Sequence, residues 1–143
     1  MLEEIVEYLG GEIIDVGKPV KTVAQAVKAT GASPRQVIKS LVLMSESGPI
    51  LVIVDGESKV SLEKIKRHFG EVRLATPEEV KKITGFEVGG VPPVGVDTRT
   101  VVDPKVLENE FVIGGGGRID RLSKLRPAKI VEYQKADVIE IRE

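Results

Sequence analysis

Two β-rich runs joined by a short turn place the strongest constraint on how this chain can fold. Residues 40–44 and 50–55 are dominated by aliphatic and β-branched side chains, and five turn-forming residues, Ser-Glu-Ser-Gly-Pro, separate them. This arrangement predicts a β-hairpin. Further short strands are predicted over residues 72–74, 99–102, 110–113 and 138–141. Because the middle strands follow one another without long helices between them, we expect an α/β (α+β) fold with a mixed sheet over helices, not a doubly wound parallel sheet.

Capping residues mark three predicted helices. One begins at Pro34, where Ser33 supplies the capping hydroxyl and Gln36 completes a capping box. Residues 61–69 and 76–84 show related start signals, and a glycine that can end a helix follows each of them. The chain up to residue 84 therefore predicts short helices that alternate with short strands.

The length and composition predict a single domain spanning residues 1–143. The chain has a mass of 15.5 kDa and contains 41% hydrophobic and 30% charged residues, as expected for a soluble globular protein. No apolar run is long enough to cross a bilayer, and residues 1–4 lack the pattern of a signal peptide, so we expect a cytoplasmic protein without membrane contacts. The absence of cysteine excludes thiolate catalysis, and the one histidine, His68, cannot form a multi-histidine metal site.

Charge is distributed unevenly along the chain, although the net charge is only −1. The first fifteen residues contain five carboxylates and no lysine or arginine. The segment 118–129 has five cationic side chains and one carboxylate, Asp120. Its cations are Arg118, Arg121, Lys124, Arg126 and Lys129. Such a segment is either a solvated surface or a surface that binds a polyanion.

Lys39 precedes the first strand of the predicted hairpin. Side chains alternate along a strand, so Lys39 shares a face with Leu41 and Leu43. A lysine on an apolar face either extends its ammonium group to the rim or faces a pocket in which it binds an anion. Both interpretations remain open from this placement alone.

Glycine is concentrated in two segments of the second half. Residues 85–95 read Gly-Phe-Glu-Val-Gly-Gly-Val-Pro-Pro-Val-Gly, a loop that is either a tight double turn or the wall of a ligand site. It lacks the Gly-Lys-Ser/Thr ending of a phosphate-binding loop. Residues 114–117 are four glycines after an apolar strand, and they predict either a flexible turn or amides aimed at an anion. Asp120 follows, pointing inward or pairing with a neighbouring arginine.

Three motifs occur in an order that resembles the YbaK and prolyl-tRNA synthetase-associated editing domain family. They are Lys39 after Ser-Pro-Arg-Gln-Val-Ile, the glycine-proline loop, and the strand that ends in four glycines. The resemblance covers the chain from about residue 21 to its end. It implies a compact fold with a curved, barrel-like mixed sheet flanked by helices. It also implies hydrolysis of the ester that joins a wrong amino acid to tRNA, by a protein free in solution and without a metal or cofactor.

The resemblance also implies roles for particular residues. The substrate-binding residues are expected to be Ser40, Gly89, Gly90, Val91, Pro92, Pro93, Gly95 and Gly114. We expect Lys39 to hold the ester carbonyl or a nearby terminal phosphate or hydroxyl. The amides of Gly115 and Gly116 are expected to help bind the oxyanion, and Asp120 to orient water or the substrate ammonium. Some family members have serine at the position of Gly114 and asparagine at that of Ser40, positions that help to shape the amino-acid pocket.

The expected partner is the aminoacylated acceptor end of tRNA, contacted through the basic segment 118–129. Alanine or cysteine on tRNA(Pro) is the expected substrate, an aminoacyl-tRNA synthetase is a possible partner, and the protein is expected to be a monomer or a weak homodimer. An aminoacyl ester is already activated, so positioned water and oxyanion stabilisation are sufficient for its hydrolysis. The alternatives are a non-catalytic module that binds tRNA or a synthetase, and an unrelated phosphate-ligand binder.

Overall fold

The computed structural model describes residues 1–143 and contains five α-helices and eight β-strands. The helices are α1 (Leu2–Tyr8), α2 (Val23–Thr30), α3 (Leu62–Phe69), α4 (Pro77–Thr84) and α5 (Pro127–Gln134). The strands are β1 (Glu12–Asp15), β2 (Ile38–Ser45), β3 (Gly48–Asp55), β4 (Val72–Leu74), β5 (Arg99–Val102), β6 (Val112–Gly115), β7 (Arg121–Leu125) and β8 (Asp137–Val138). A 3₁₀ turn covers Pro104–Glu108. None of the helices is long and apolar enough to span a bilayer.

The strands form two sheets. The larger sheet has the order β4-β2-β3-β5-β8, in which β2 is antiparallel to β3 and β4 while β5 is parallel to β3 and β8. The smaller sheet is antiparallel, with the order β1-β7-β6. One parallel bridge, from Val37 to Ile113, connects the two sheets. The expected α+β class with a mixed sheet is confirmed, and the two sheets do not close into a barrel.

The β2–β3 hairpin forms the centre of the larger sheet, as predicted. Its loop is shorter than expected, because Ser45 pairs with Gly48 and only two residues lie between them. Strand β3 is buried on both faces: Leu51 and Ile53 pack into the larger hydrophobic cluster, and Val52 packs into a second cluster beside α3. This burial explains the continuous apolar run in β3, since a strand covered on both sides needs no polar alternation.

Helices α3 and α4 begin and end where their capping signals predict. The Ser61 hydroxyl accepts a hydrogen bond from the Lys64 amide at 3.2 Å. Thr76 and Glu79 form a complete capping box at the start of α4. Gly85 ends that helix with a φ of 82°, a left-handed conformation that favours glycine.

The helix predicted at Pro34 is wrong, because residues 34–36 form a turn. The Gln36 side chain does accept from the Ser33 amide at 3.1 Å, as in a capping box. However, Val37 already bridges to Ile113, and β2 begins at Ile38. Too few residues remain for a helical turn, so Lys39 lies within β2 and not at its entrance.

Besides β2 and β3, which are each longer than predicted, two further strands have different bounds in the structure. Strand β6 begins at Val112 and continues to Gly115, so the first two of the four glycines are strand residues. Strand β8 covers only Asp137–Val138, and Ile141 lies beyond it. There the Ile141 amide donates to the buried carboxylate of Asp103 at 2.9 Å, and Arg142 donates to the same group at 2.7 Å. Asp103 therefore fastens the C-terminal segment beside β5 through polar contacts that no sequence pattern indicated.

The ion pair between Arg73 and Glu79 predicts a pH-dependent contribution to stability. Two parallel hydrogen bonds of 2.7 and 2.8 Å from the guanidinium lower the pKa of Glu79 from 4.5 to about 2. A carboxyl whose pKa is lowered by folding stabilises the fold above its ordinary pKa and loses that contribution as the pH falls through the folded value. We therefore expect the stability advantage of the wild type over Glu79→Gln to be constant above pH 4.5 and to shrink between 4.5 and about 2.

Thermal unfolding of both proteins across this pH range measures the effect. Glu78→Gln is the matched control, since the Glu78 side chain is exposed and forms no ion pair. A Glu79→Gln difference that stays unchanged down to the lowest pH would contradict the assignment.

Candidate active site

A concave site lies where the open edge of β2 meets the glycine end of β6. It is a cavity of about 560 Å³, and residues of α2 and of the loop at residues 88–91 are among those that line it. Six of the residues that the sequence predicts as site residues line it, namely Lys39, Ser40, Gly89, Val91, Gly114 and Gly115. The structure therefore brings the three predicted motifs to one place.

The cavity exists because no strand pairs with the first half of β2 on the edge that faces away from β3. Strand β4 pairs with β2 only over residues 43–45. Strand β6 approaches β2 at its start, where Val37 bridges to Ile113, and then diverges. The edge of β2 between these contacts, residues 38–41, lines the cavity.

Lys39 is half-buried and its ammonium group forms no ion pair and no hydrogen bond. No carboxylate lies among the residues that line the cavity, whereas a second lysine, Lys21, lies on its rim. The floor is apolar, with Ala26, Val37 and Leu122 among its side chains. Charge interactions are stronger in such surroundings than in water. The cavity is therefore suited to bind an oxyanion or another negatively polarised oxygen.

Close contact between backbones sets the shape of the cavity wall. A Cβ atom on Gly115 would overlap the carbonyl oxygen of Val91. A Cβ atom on Gly89 would lie 2.8 Å from the side chain of Lys21, and the φ of 92° at Gly89 also favours glycine. Only residues without a side chain permit these approaches.

The two glycine amides predicted to bind an oxyanion differ in direction. The Gly116 amide donates to the carbonyl of Arg121 at 3.1 Å, within the β6–β7 turn. Hydrogen-bonded pairs alternate along an antiparallel ladder, so the amide of Gly115 points away from β7 and toward β2. Of these two amides, only that of Gly115 is directed to the cavity side.

The remaining glycine and proline residues of the predicted loop form the support behind the cavity. Gly90 packs on the backbone of Arg118, and its carbonyl accepts from the Gly117 amide at 2.8 Å. Pro93 packs against β6, within contact distance of a Cβ placed on Gly114. Pro92 is buried beside it, and the amide of Gly95 donates to the Gln134 side chain at 2.9 Å, away from the cavity.

Asp120 lies apart from Lys39, in a second concavity of about 520 Å³. Its carboxylate pairs with Arg118 at 3.1 Å, which is the salt bridge considered as an alternative from the sequence. The other carboxylate oxygen is buried and has no hydrogen-bond partner. The same concavity contains Lys18 and Lys81, neither of which forms an ion pair.

The basic segment 118–129 is less positive in the structure than in the sequence. Arg121 binds the carboxylates of Glu3 and Asp15, so part of the acidic N-terminal segment neutralises it. Lys129 pairs with Glu132 at 3.7 Å. Lys124 and Arg126 lie over the ring of Phe111, at 4.9 and 4.7 Å from its centre, and carry no paired carboxylate.

Sequence reasoning did not identify Lys21 or helix α2 as parts of the site. A signal for the helix was present, because Thr22 and Gln25 form a capping box. The position of α2 depends instead on Ala26, which belongs to one buried cluster with Val37, just before β2, Ile113 of β6 and Leu122 of β7. No local pattern indicates such a contact.

Comparison with known proteins places these features in a family. The sequence model of the aminoacyl-tRNA editing domain family matches residues 17–133. A proline–tRNA ligase from Thermotoga maritima is 37% identical over 100 residues, which are 67% of this chain and 17% of the ligase. The uncharacterised protein YwhH from Bacillus subtilis is 31% identical over 121 residues, covering 82% of this chain and 77% of that protein. The chain thus spans only about a sixth of the length of the ligases that it matches.

Two solved structures share the whole fold. The hypothetical protein APE2540 has a TM-score of 0.91 and 34% identity, with 99% of both chains covered. A candidate trans-editing enzyme for prolyl-tRNA synthetase also has a TM-score of 0.91, with 33% identity and coverage of 99% of this chain and 94% of that one. With its family model, its relatives and its fold in agreement, this chain belongs to the aminoacyl-tRNA editing domain family.

Proposed function

We propose that this protein is an aminoacyl-tRNA deacylase that acts in trans, releasing a wrongly attached amino acid from tRNA. The observation that carries the proposal is the unpaired ammonium of Lys39 in a cavity without carboxylates, next to the glycine end of β6. An ester carbonyl that enters this cavity meets a cation and a backbone amide at once. Both groups stabilise the negative charge that develops on the carbonyl oxygen when water attacks.

The proposed reaction is hydrolysis of the ester between the amino acid and the terminal ribose. Water adds to the acyl carbon, and the negative charge moves to the carbonyl oxygen, which Lys39 and the amide of Gly115 bind. The bond from the acyl carbon to the ribose oxygen then breaks. The products are the free amino acid and a ribose hydroxyl, which takes the proton that the water loses.

The proposed substrate is alanyl- or cysteinyl-tRNA(Pro). The similarity to proline–tRNA ligases and to a candidate trans-editing enzyme for prolyl-tRNA synthetase supports the choice of tRNA. Aliphatic side chains on the cavity floor, among them Val37 and Ile113, suit a small apolar amino acid. One methylene group in such a pocket changes binding by about 1–3 kcal/mol, so the pocket's size sets the preference.

Removal of the Lys39 ammonium is expected to lower deacylation by about 10²- to 10³-fold, the usual cost of losing one oxyanion contact. The experiment measures release of labelled amino acid from alanyl-, cysteinyl- and prolyl-tRNA(Pro) by the wild type, Lys39→Ala and Lys39→Arg. Lys28→Ala is the matched control, since Lys28 is an exposed lysine on α2 that forms no ion pair. Full activity of a folded Lys39→Ala protein would refute the assignment.

A methyl group at Gly115 is expected to damage the site more than one at Gly114. In Gly115→Ala the new Cβ overlaps the Val91 carbonyl, so the loop has to move, at a cost of about 1–3 kcal/mol in stability. In Gly114→Ala the Cβ lies 3.2 Å from the side chains of Ile38 and Pro93, which can shift slightly. Denaturant unfolding and deacylation assays on both variants measure the difference, and equal effects would show that the backbone contact is not essential.

The cations that carry no paired carboxylate are expected to bind the phosphates of the acceptor stem. Lys18 and Lys81 lie in the second concavity, which also contains Arg118. Each phosphate contact that is lost reduces the slope of log affinity against log salt concentration by about one. We expect Lys18→Ala/Lys81→Ala to weaken tRNA binding and to lower this slope by about two. Lys59→Ala, an exposed lysine near the C-terminal segment, is the control. An unchanged slope in the double variant would exclude this surface.

A non-catalytic tRNA-binding or synthetase-binding module is the second candidate. It is favoured by the absence of any carboxylate or imidazole among the residues that line the cavity, which leaves no side chain to accept a proton from water. This alternative predicts binding of tRNA without release of any amino acid. The release assay with the three charged tRNAs therefore separates the two functions.

A further inference from the structure

An apolar groove continues the main cavity along the open edge of β2. It has a volume of about 180 Å³, and both cavities include Ser40, Leu41 and the loop from Val88 to Val91. Its outer walls are the side chains of Leu74, Pro77 and Val80. Leu74 and Val88, two large aliphatic side chains, are 58% and 52% exposed at its mouth. The groove is therefore an accessible apolar slot that opens directly into the proposed active site.

The backbone of Ser40 forms the hydrogen-bonding edge of this groove. The carbonyl of Val42 accepts from the Ala75 amide at 3.0 Å, so the polar groups of Val42 face away from β3. Backbone groups two residues apart on a strand point to the same side, and the N–H and C=O of Ser40 consequently face the groove. No strand pairs with Ser40 on this side.

These groups suit a flat ring that offers one acceptor and one donor side by side. An added peptide strand does not fit, because Ala75 and Ile113 bound the open edge on its two sides. Aliphatic walls suit the faces of an aromatic ring, as in proteins that bind unstacked nucleobases. Adenine has this pattern on its Watson–Crick edge, where the N1 acceptor is adjacent to the N6 amino group.

We propose that the groove binds the adenine base of the terminal adenosine of tRNA. The Ser40 N–H donates to N1, the Ser40 C=O accepts from the N6 amino group, and the ring lies between Leu74 and Val88. This inference rests on the proposed function, because the base and the aminoacyl ester are carried by the same ribose. With the ester in the main cavity beside Lys39, the base reaches the adjoining groove.

Hypoxanthine provides the chemical test of this pairing. It has nearly the same shape as adenine, but position 6 is an acceptor and N1 carries a proton, so the donor and acceptor are exchanged. Both backbone groups of Ser40 would then face a group of the same kind. A matched pair of hydrogen bonds to a base typically discriminates by about tenfold or more.

The first experiment titrates the ¹⁵N-labelled protein with adenosine 5′-monophosphate and, separately, with inosine 5′-monophosphate. We expect the adenine nucleotide to shift the Ser40 amide resonance strongly, together with those of Leu74 and Val88, and to bind about tenfold or more tightly than the inosine nucleotide. Equal binding of the two nucleotides, or an unmoved Ser40 amide, would overturn the proposal.

A pair of variants tests the walls of the groove. Leu74→Asp places a charge beside the base and is expected to weaken adenosine monophosphate binding at least tenfold. Val138→Asp is the matched control, because Val138 is 44% exposed on β8, at the opposite edge of the same sheet. Similar losses in the two variants, with both proteins folded, would contradict the assignment of the groove.

Turnover then separates this inference from the proposed function. Alanyl-tRNA(Pro) is prepared with adenosine or with inosine at its 3′ end, and release of alanine is compared. Slower release from the inosine form supports the base site, whereas equal release from both shows a deacylase that does not read the base. Adenine-specific shifts without release from any charged tRNA support the groove and refute the deacylase.

Discussion

The close approach of Gly115 to the carbonyl of Val91 is the contact on which the geometry of the site depends. Because neither backbone is separated from the other by a side chain, the loop at residues 88–91 stands directly against the end of β6. The hydrogen bond from Gly117 to Gly90 fastens the loop in that position. A loop held there lines the cavity together with α2 and the open edge of β2. The glycines are thus required by packing, whatever chemistry their amides perform.

An open strand edge is ordinarily a liability, since its free amides and carbonyls can pair with another chain. Here the open part of β2 is short, because β4 covers one end and the start of β6 covers the other. The half-buried cation at Lys39 lies on the same stretch and disfavours the packing of an apolar strand there. The edge is consequently protected from pairing with another strand while its backbone groups remain accessible to a small ligand.

Local signals in the sequence predicted the parts of the fold that local forces determine. The β2–β3 hairpin, α3 and α4 follow from turn residues, capping hydroxyls and terminal glycines, all within a few positions. The turn at Pro34 was mistaken for a helix because the competing contact, from Val37 to Ile113, is remote in sequence. The pairing of Arg121 with Glu3 and Asp15 is also remote, and it removes much of the charge that the basic segment seemed to offer.

The site itself was predictable only in part, for the same reason. Lys39, Ser40 and the glycines could be selected by residue type and by a family pattern, and the structure gathers six of the predicted residues around one cavity. The sequence could not decide between the two roles considered for Asp120. An arginine close in sequence, Arg118, was available to pair with it, and the structure shows that pair. The sequence did not indicate that α2 contributes to the site, since its position depends on packing between Ala26 and residues of β6 and β7 that are distant in sequence.

A cavity with cations, amides and no proton acceptor restricts the chemistry that can occur in it. Without a general base or a strong nucleophile, stabilisation of the oxyanion is sufficient only for a carbonyl group that already reacts readily with water. An aminoacyl ester is reactive enough to meet this condition. A strong nucleophile in the same place would attack any ester that entered, including a correct one. With weak chemistry, the rate depends on how well the acyl group and the ribose are held, so the fit of the substrate becomes the source of selectivity. The absence of a strongly reactive catalytic group is then consistent with an editing role, because discrimination between substrates comes from how they bind in the cavity and not from the reactivity of a protein side chain.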